Sequence, residues 1–214
     1  MNEIFSGVFR EGKALFTVNK VPGAKVYGEK LVGEYREWDP TRSKLGAAML
    51  NGLKTMEIKK GSKILYLGAS TGTTPSHLSD IIGNEGIIYA LEFAERVFRS
   101  LIDLSKKRKN IAPIIADARK TSLYYWIEEC DVLYCDIAQP NETEIAIANA
   151  NEFLKKKGIL YIAIKSQSIE VTKAPKIIYQ EEKVKLEKAG FTVIELIDLE
   201  PYEEKHAMIV ARKS

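Results

Sequence analysis

Two strand-like runs lie near the C-terminus, FTVIELIDLE (191–200) and HAMIVARK (206–213), and only PYEEK joins them. A parallel crossover needs roughly a dozen residues or more, so these two strands must pair antiparallel. Upstream the pattern differs. From about Gly61, short apolar runs alternate with helix-like segments: KILYL (63–67), GIIYALE (86–92), IAPIIAD (111–117), CDVLYCDI (130–137) and KGILYIAIK (157–165). Continuous apolar strands between helices suit a largely parallel sheet covered on both faces. The expected domain is therefore α/β, with a parallel sheet that ends in one antiparallel hairpin.

That pattern is unlike the dinucleotide-binding Rossmann order and resembles the seven-stranded Rossmann-like fold of S-adenosylmethionine-dependent methyltransferases. Its helices are legible in part. Val97, Leu101 and Leu104 repeat at helical spacing, a second helix is expected around 141–156, and APKIIYQEEKVKLEKAG ends with Gly190 in the C′ position. Residues 1–40 read as a small N-terminal antiparallel β domain with a turn at Glu11-Gly12, and 41–214 as the methyltransferase-like domain. At their junction Leu45, Met49, Leu53 and Met56 share one helical face, with Thr41 or Ser43 as the cap.

Composition narrows the function classes. No apolar run reaches the roughly 18 residues of a membrane span, and MNEIFSGVFREG has no signal-peptide core, so a cytoplasmic protein without membrane contact is expected. Cys130 and Cys135 lack the spacing of a zinc or redox motif and read as two buried thiols; no metal site is expected. The formal net charge of +3 carries no strong RNA footprint of its own. The basic runs Lys106–Lys109 and Lys155–Lys157 read as cations closing two helices. Tyr124, Tyr125 and Trp126 read equally as an exposed interface or as one face of a buried helix.

The stretch LYLGASTGTTPSHLSDIIG (65–83) carries the first site signal. Gly68 and Ala69 end a strand and leave room for a ligand near the backbone; a helix then starts near Thr74 or Pro75. The spacing is neither G-x-G-x-x-G nor a P-loop, and no lysine is present to hold a phosphate. Three strands in succession end in acids: Glu92, Asp117 and Asp136. Glu92 suits a ribose diol, Phe93 can stack on an adenine, and Asp117, before Ala118, can read the adenine amino group. Asp136 is followed by Ile137, Ala138 and Gln139. Clustered carboxylates repel a pyrophosphate and attract a sulfonium and an α-amino group, so S-adenosylmethionine is favoured over NAD.

LYLGASTGTTPSHLSDIIG, YALEF, IADAR, YCDIAQP and PYEEKHAMIVAR, with YREWDPTRSKLGAAML at the junction, resemble the fibrillarin family in its archaeal, arm-less form. The resemblance covers nearly the whole chain. It implies a 2′-O-ribose methyltransferase acting on rRNA, and on tRNA in some cases. Such an enzyme is the catalytic subunit of a box C/D guide ribonucleoprotein, its target chosen by guide RNA pairing. A Nop-family scaffold and a kink-turn-binding, ribosomal-protein-like subunit are the implied protein partners. It also implies cofactor contacts from Thr73 and Thr74, Glu92 and Phe93, Asp117 and Ala118, and Asp136 to Gln139. Two departures are Pro75, in place of a valine-like residue, and Ser166-Gln167, in place of a small residue followed by a basic or polar one.

The same resemblance orders a catalytic set: Lys44, Asp136, Lys165 and His206. Lys165 is the expected base for the ribose hydroxyl, Asp136 orients it, Lys44 holds the target nucleotide, and His206 orients a lysine or the hydroxyl. His77 is expected to be structural, bonded to backbone near the cofactor loop. The competing readings are a protein or small-molecule methyltransferase on this fold, a non-catalytic scaffold, and an NAD dehydrogenase.

Overall fold

The computed structural model describes residues 1–214 and contains two sheets. The first is antiparallel and ordered β1-β2-β3-β5-β4, from β1 (Asn2–Phe5), β2 (Val8–Glu11), β3 (Ala14–Val18), β4 (Leu31–Val32) and β5 (Tyr35–Trp38). Glu11 pairs with Ala14 across the expected Gly12 turn. The second sheet has seven strands in the order β11-β12-β10-β9-β6-β7-β8. Here β6 (Lys63–Leu67), β7 (Ile87–Glu92), β8 (Ile111–Ile115), β9 (Cys130–Cys135) and β10 (Leu154–Lys165) run parallel. Only β12 (His206–Lys213) is reversed, pairing antiparallel with β10 and with β11 (Phe191–Asp198). The short link between β11 and β12, Leu199–Lys205, forced that reversal.

Helices cover both faces: α1 (Lys44–Leu50), α2 (Thr73–Ile82), α3 (Glu95–Lys107), α4 (Glu142–Phe153), the short α5 (Ser166–Ile169) and α6 (Pro175–Lys188). The pleat explains the continuous apolar strands. Ile64 and Tyr66 of β6 enter one core with Leu78 of α2, while Leu65 and Leu67 enter the opposite core with Phe153 of α4 and Ile178 of α6. Val8, Leu15 and Trp38 of the small sheet belong to the first of these cores, so the two sheets share buried apolar surface.

A buried charge network crosses the same junction. Asp80 of α2 accepts from Arg108 at 2.5 Å and pairs with Arg36 of β5 at 3.5 Å, and Arg36 also pairs with Glu29 at 3.1 Å. His77, on the same helix, stacks on Trp38 with ring centroids 4.6 Å apart. Its partners are side chains, not the expected backbone: Thr17 Oγ1 at 2.8 Å, Tyr27 Oη at 2.8 Å and Arg36 Nη2 at 3.2 Å. The Thr17 hydroxyl gives its one proton to Asp80, so His77 Nδ1 must carry the hydrogen in the Thr17 contact. Burial, then the charges of Arg36 and Arg108, push the His77 pKa far down, so the ring is neutral.

Other expectations need correction. The junction helix stops at Leu50 rather than reaching Met56, because Asn51 and Gly52 (φ 97°) end it and Asn51 Nδ2 donates to the carbonyls of Asp198 and Glu200. Ser43, not Thr41, caps it. Lys106 and Lys107 do close α3, but Arg108 is buried in the Asp80 pair. Lys155–Lys157 close no helix, since α4 ends at Phe153 and the three lysines begin β10. Phe153 and Leu154 are both buried, which draws the chain into the sheet at that point, and Lys155 pairs with Asp131 at 2.6 Å. Tyr124 is buried and donates to Asn149, whereas Tyr125 and Trp126 are exposed beside it, in a segment that is not an α-helix.

Candidate active site

Adjacent strands bring distant loops together. The loop after β6 and the loop after β9 are stitched by the Asp136 amide, which donates to Leu67 O at 2.9 Å. The Gly68 and Ala69 amides both donate to Leu91 O, at 3.0 and 2.8 Å, which ties in the end of β7. Gly68 has a φ of 82°, and a Cβ there would lie 2.2 Å from the Asp136 carbonyl oxygen. No other residue fits both conditions. Gly68→Ala is expected to cost roughly 1–3 kcal/mol in denaturant unfolding from the backbone alone, and more if the Asp136 loop must shift. A loss below about 0.5 kcal/mol, the scale of an ordinary surface substitution, would show that the turn relaxes freely.

These loops enclose a cavity of about 330 Å³, lined by Gly68, Glu92, Phe93, Asp117, Ala118, Asp136, Ile137, Ala138 and Gln139 among others. The acids at the ends of β7, β8 and β9 are thus brought together at the C-terminal edge of the sheet, as strand order predicted. Glu92 is already half engaged, its two oxygens accepting the Ser70 and Ala94 amides at 2.7 Å each. Each oxygen keeps a free lone pair. Phe93 is 70% exposed, so its ring is free to stack on a ligand. Asp117 is held by Arg119, whose Nη2 lies 2.7 Å from Oδ2, and this contact keeps the carboxyl below its usual range. Arg119 lines the cavity as well, and the sequence reading passed it over.

Thr73 and Thr74 are placed differently. Neither lines the cavity, although both begin α2 beside it. Thr74 is buried, and its hydroxyl donates to Ser43 Oγ at 2.9 Å, while Ser43 Oγ also accepts the Gly46 amide. Thr74 therefore braces the start of α1, the helix that carries Lys44.

Of the four proposed catalytic residues, Lys44 meets Asp136 at the edge of this cavity, and Lys165 and His206 pair in register at the neighbouring strand ends. Lys44 Nζ lies 2.8 Å from Asp136 Oδ1 and 3.2 Å from Oδ2. Burial lowers the Lys44 pKa, but the charge and hydrogen bond of Asp136 outweigh it, and the net shift is upward. Lys44 is thus a fixed cation. Lys165 ends β10 and pairs in register with His206 at the start of β12, on the strand next to β9. His206 Nδ1 sits 2.7 Å from Glu204 O; a carbonyl only accepts, so Nδ1 holds the proton and Nε2 is an acceptor. Burial, with the charge of Lys44, pushes the His206 pKa down despite the raising effect of the Glu204 contact.

One further acid lies here, and the sequence reading passed it over as well. Glu142, the first residue of α4, is 1% exposed, and its Oε1 accepts the Lys165 amide at 3.1 Å. Burial pushes its pKa up to about 9, the Lys165 amide offsetting only part of that. An acid in the first turn of a helix ordinarily signals only the dipole, so its pattern carried no separate message.

The fibrillarin family model matches residues 1–214. The chain belongs to the fibrillarin family. A relative from Sulfolobus acidocaldarius named fibrillarin-like rRNA/tRNA 2′-O-methyltransferase is 52% identical over 217 residues, covering 99% of this chain and 94% of the relative. The structure of Aeropyrum pernix fibrillarin in complex with natively bound S-adenosyl-L-methionine superposes with a TM-score of 0.85 and 46% identity, over 92% of this chain and 88% of that one. Fibrillarin from a fibrillarin/Nop5p complex superposes with a TM-score of 0.92 and 40% identity over 100% of both chains.

Proposed function

We propose that this family member is an S-adenosylmethionine-dependent RNA 2′-O-ribose methyltransferase. The observation that carries the reading is the sharing of Asp136 between an acid-lined, phosphate-averse cavity and a Lys44–Asp136 ion pair 2.8 Å long, beside Lys165 and His206. The cavity suits the cofactor on two counts. Glu92 has lone pairs to spare, and no lysine lines the turn where a phosphate would need one. Glu92, Phe93, Asp117 and Asp136 would hold it, and Asp117 would do so from its Arg119 clamp. When bound, S-adenosylmethionine supplies a methyl group already activated on a sulfonium.

The residues supply the rest. Lys165, which unlike Lys44 is not ion-paired with Asp136, would accept the proton of the ribose hydroxyl in its neutral amine form and become the ammonium. Asp136 fixes Lys44, and the Lys44 cation draws the anionic RNA backbone to the mouth of the site. The neutral His206 offers Nε2 as an acceptor to orient the hydroxyl or the lysine. Positioning supplies on the order of 7–11 kcal/mol at best, and a base roughly 10²–10⁴-fold. Target choice belongs to a box C/D guide RNA, with a Nop-family scaffold and a kink-turn-binding subunit completing the particle. The structure of a relative with Nop5p supports the scaffold partner.

Labelled methyl should pass to one ribose of a guide-paired RNA only when guide RNA and scaffold protein are both present. Equal transfer to free nucleosides or to small molecules would replace this reading with the small-molecule one.

A further inference from the structure

We propose that Glu142 is a positioning residue for Lys165, its carboxyl fixing the end of β10 opposite Asp136 through the hydrogen bond to the Lys165 amide. This inference rests on the methyltransferase reading, and its geometry is independent of it. The Lys165–Ser166 junction is where a strand turns abruptly into α5, and it is held from two sides. On one side the Ser166 amide and hydroxyl donate to Lys205 O at 3.2 and 3.0 Å, next to His206. On the other, Glu142 Oε1 accepts the Lys165 amide at 3.1 Å. Glu142 is itself tied to the Asp136 loop, because its own amide donates to Gln139 O at 3.2 Å. A short path of two hydrogen bonds therefore links the loop of Asp136 to the backbone of Lys165.

The other oxygen decides the charge state this clamp needs. Glu142 Oε2 is buried and has no hydrogen-bond partner. The groups around the carboxyl are Asp136 at the end of β9, Cys135 beside it, Glu182 on α6, Lys44 on α1 and the Lys165 amide. Glu182 is also buried, with Oε1 on Lys185 and Oε2 unpartnered. A carboxylate at Glu142 would stand unpaired beside two other acids, with only the Lys44 charge, already committed to Asp136, to offset it. The neutral acid still accepts the amide on its carbonyl oxygen, more weakly than a carboxylate would but without that repulsion, in keeping with a pKa raised to about 9. Ionisation at higher pH would push Glu142 away from Asp136 and loosen the Lys165 backbone.

The test compares wild type, Glu142→Gln and Glu142→Ala. Glutamine reproduces the neutral acid in shape and acceptor, whereas alanine removes the clamp. In amide NMR of the free protein, the Lys165 amide should shift with pH through about 9 in wild type and stay flat in Glu142→Gln. In the reconstituted particle, Glu142→Ala should lower kcat by about 10²-fold, the effect of a misplacement near 1 Å, with little change in the cofactor KM. Glu142→Gln should keep kcat near wild type at neutral pH and lack the wild-type fall in rate near pH 9. A Lys165 amide that ignores pH in wild type, or a Glu142→Gln variant as impaired as Glu142→Ala, would overturn the proposal. If wild type transfers no methyl at all, the functional reading fails, and the amide titration still decides the role of Glu142.

Discussion

Asp80→Ala should lower the stability of the whole chain by about 3–5 kcal/mol, the cost of leaving buried charge without its partner. Asp80 is 1% exposed in its side chain, as is Arg108, and Arg36 and Glu29 are fully buried. Its Oδ1 accepts from Arg108 and from the Lys20 amide; its Oδ2 accepts from the Thr17 hydroxyl and faces Arg36. Without it, Glu29 remains for Arg36, and Arg108 keeps only neutral partners such as Ser76 O, Ser79 and Asn19. A domain of this size loses about 2–4 °C of Tm per kcal/mol, so thermal unfolding should shift down by roughly 6–20 °C. Asp80→Asn keeps the shape and one acceptor but loses the charge, and should fall between wild type and Asp80→Ala. A drop of less than about 2 °C for Asp80→Ala, under one kcal/mol on the same scale, would mean that the network adds no stability at the junction of the two sheets.

Lys165→Ala should cut methyl transfer by about 10²–10⁴-fold, the range for loss of a positioned base, and leave calorimetric cofactor affinity nearly unchanged. The cavity explains the split: Lys165 lies outside its lining, which comes from the loops after β6, β7, β8 and β9. Lys165→Arg should be nearly as inactive, because a guanidinium does not give up its proton in the physiological range. That pair of variants separates a base from a mere cation. If Lys165→Arg restored most of the rate, Lys165 would serve as a charge, and the proton acceptor would have to be sought at His206, whose Nε2 is already unprotonated.

Much of this site was legible before any coordinates, and the reason is geometric. Glu92, Asp117 and Asp136 each follow an apolar strand, and parallel strands deliver their C-terminal ends to a single edge whatever the details of packing. The glycine at 68 was legible for the same reason, as the end of the first such strand. The readings that failed all depended on what lies opposite. Met56 has helical spacing with Leu53, but Asn51 and Gly52 stop the helix first. Lys155–Lys157 look like a helix end until Phe153 and Leu154 are buried. His77 finds side chains of the small sheet rather than backbone.

The sequence by itself determined the reversed last strand, through a link too short to cross over, and the identity of the strand ends that line the cavity. Those are local facts, set by spacing along one stretch of chain. Only the tertiary structure decided which polar groups meet: Lys44 with Asp136 across 92 positions, Arg108 with Asn19 across 89, Glu142 with the Lys165 amide across 23. Whether an acid is a solvated helix start or a neutral clamp depends on the burial around it and the charges beside it. Sequence spacing carries neither, which is why Glu142 looked ordinary until β10 was set against α4.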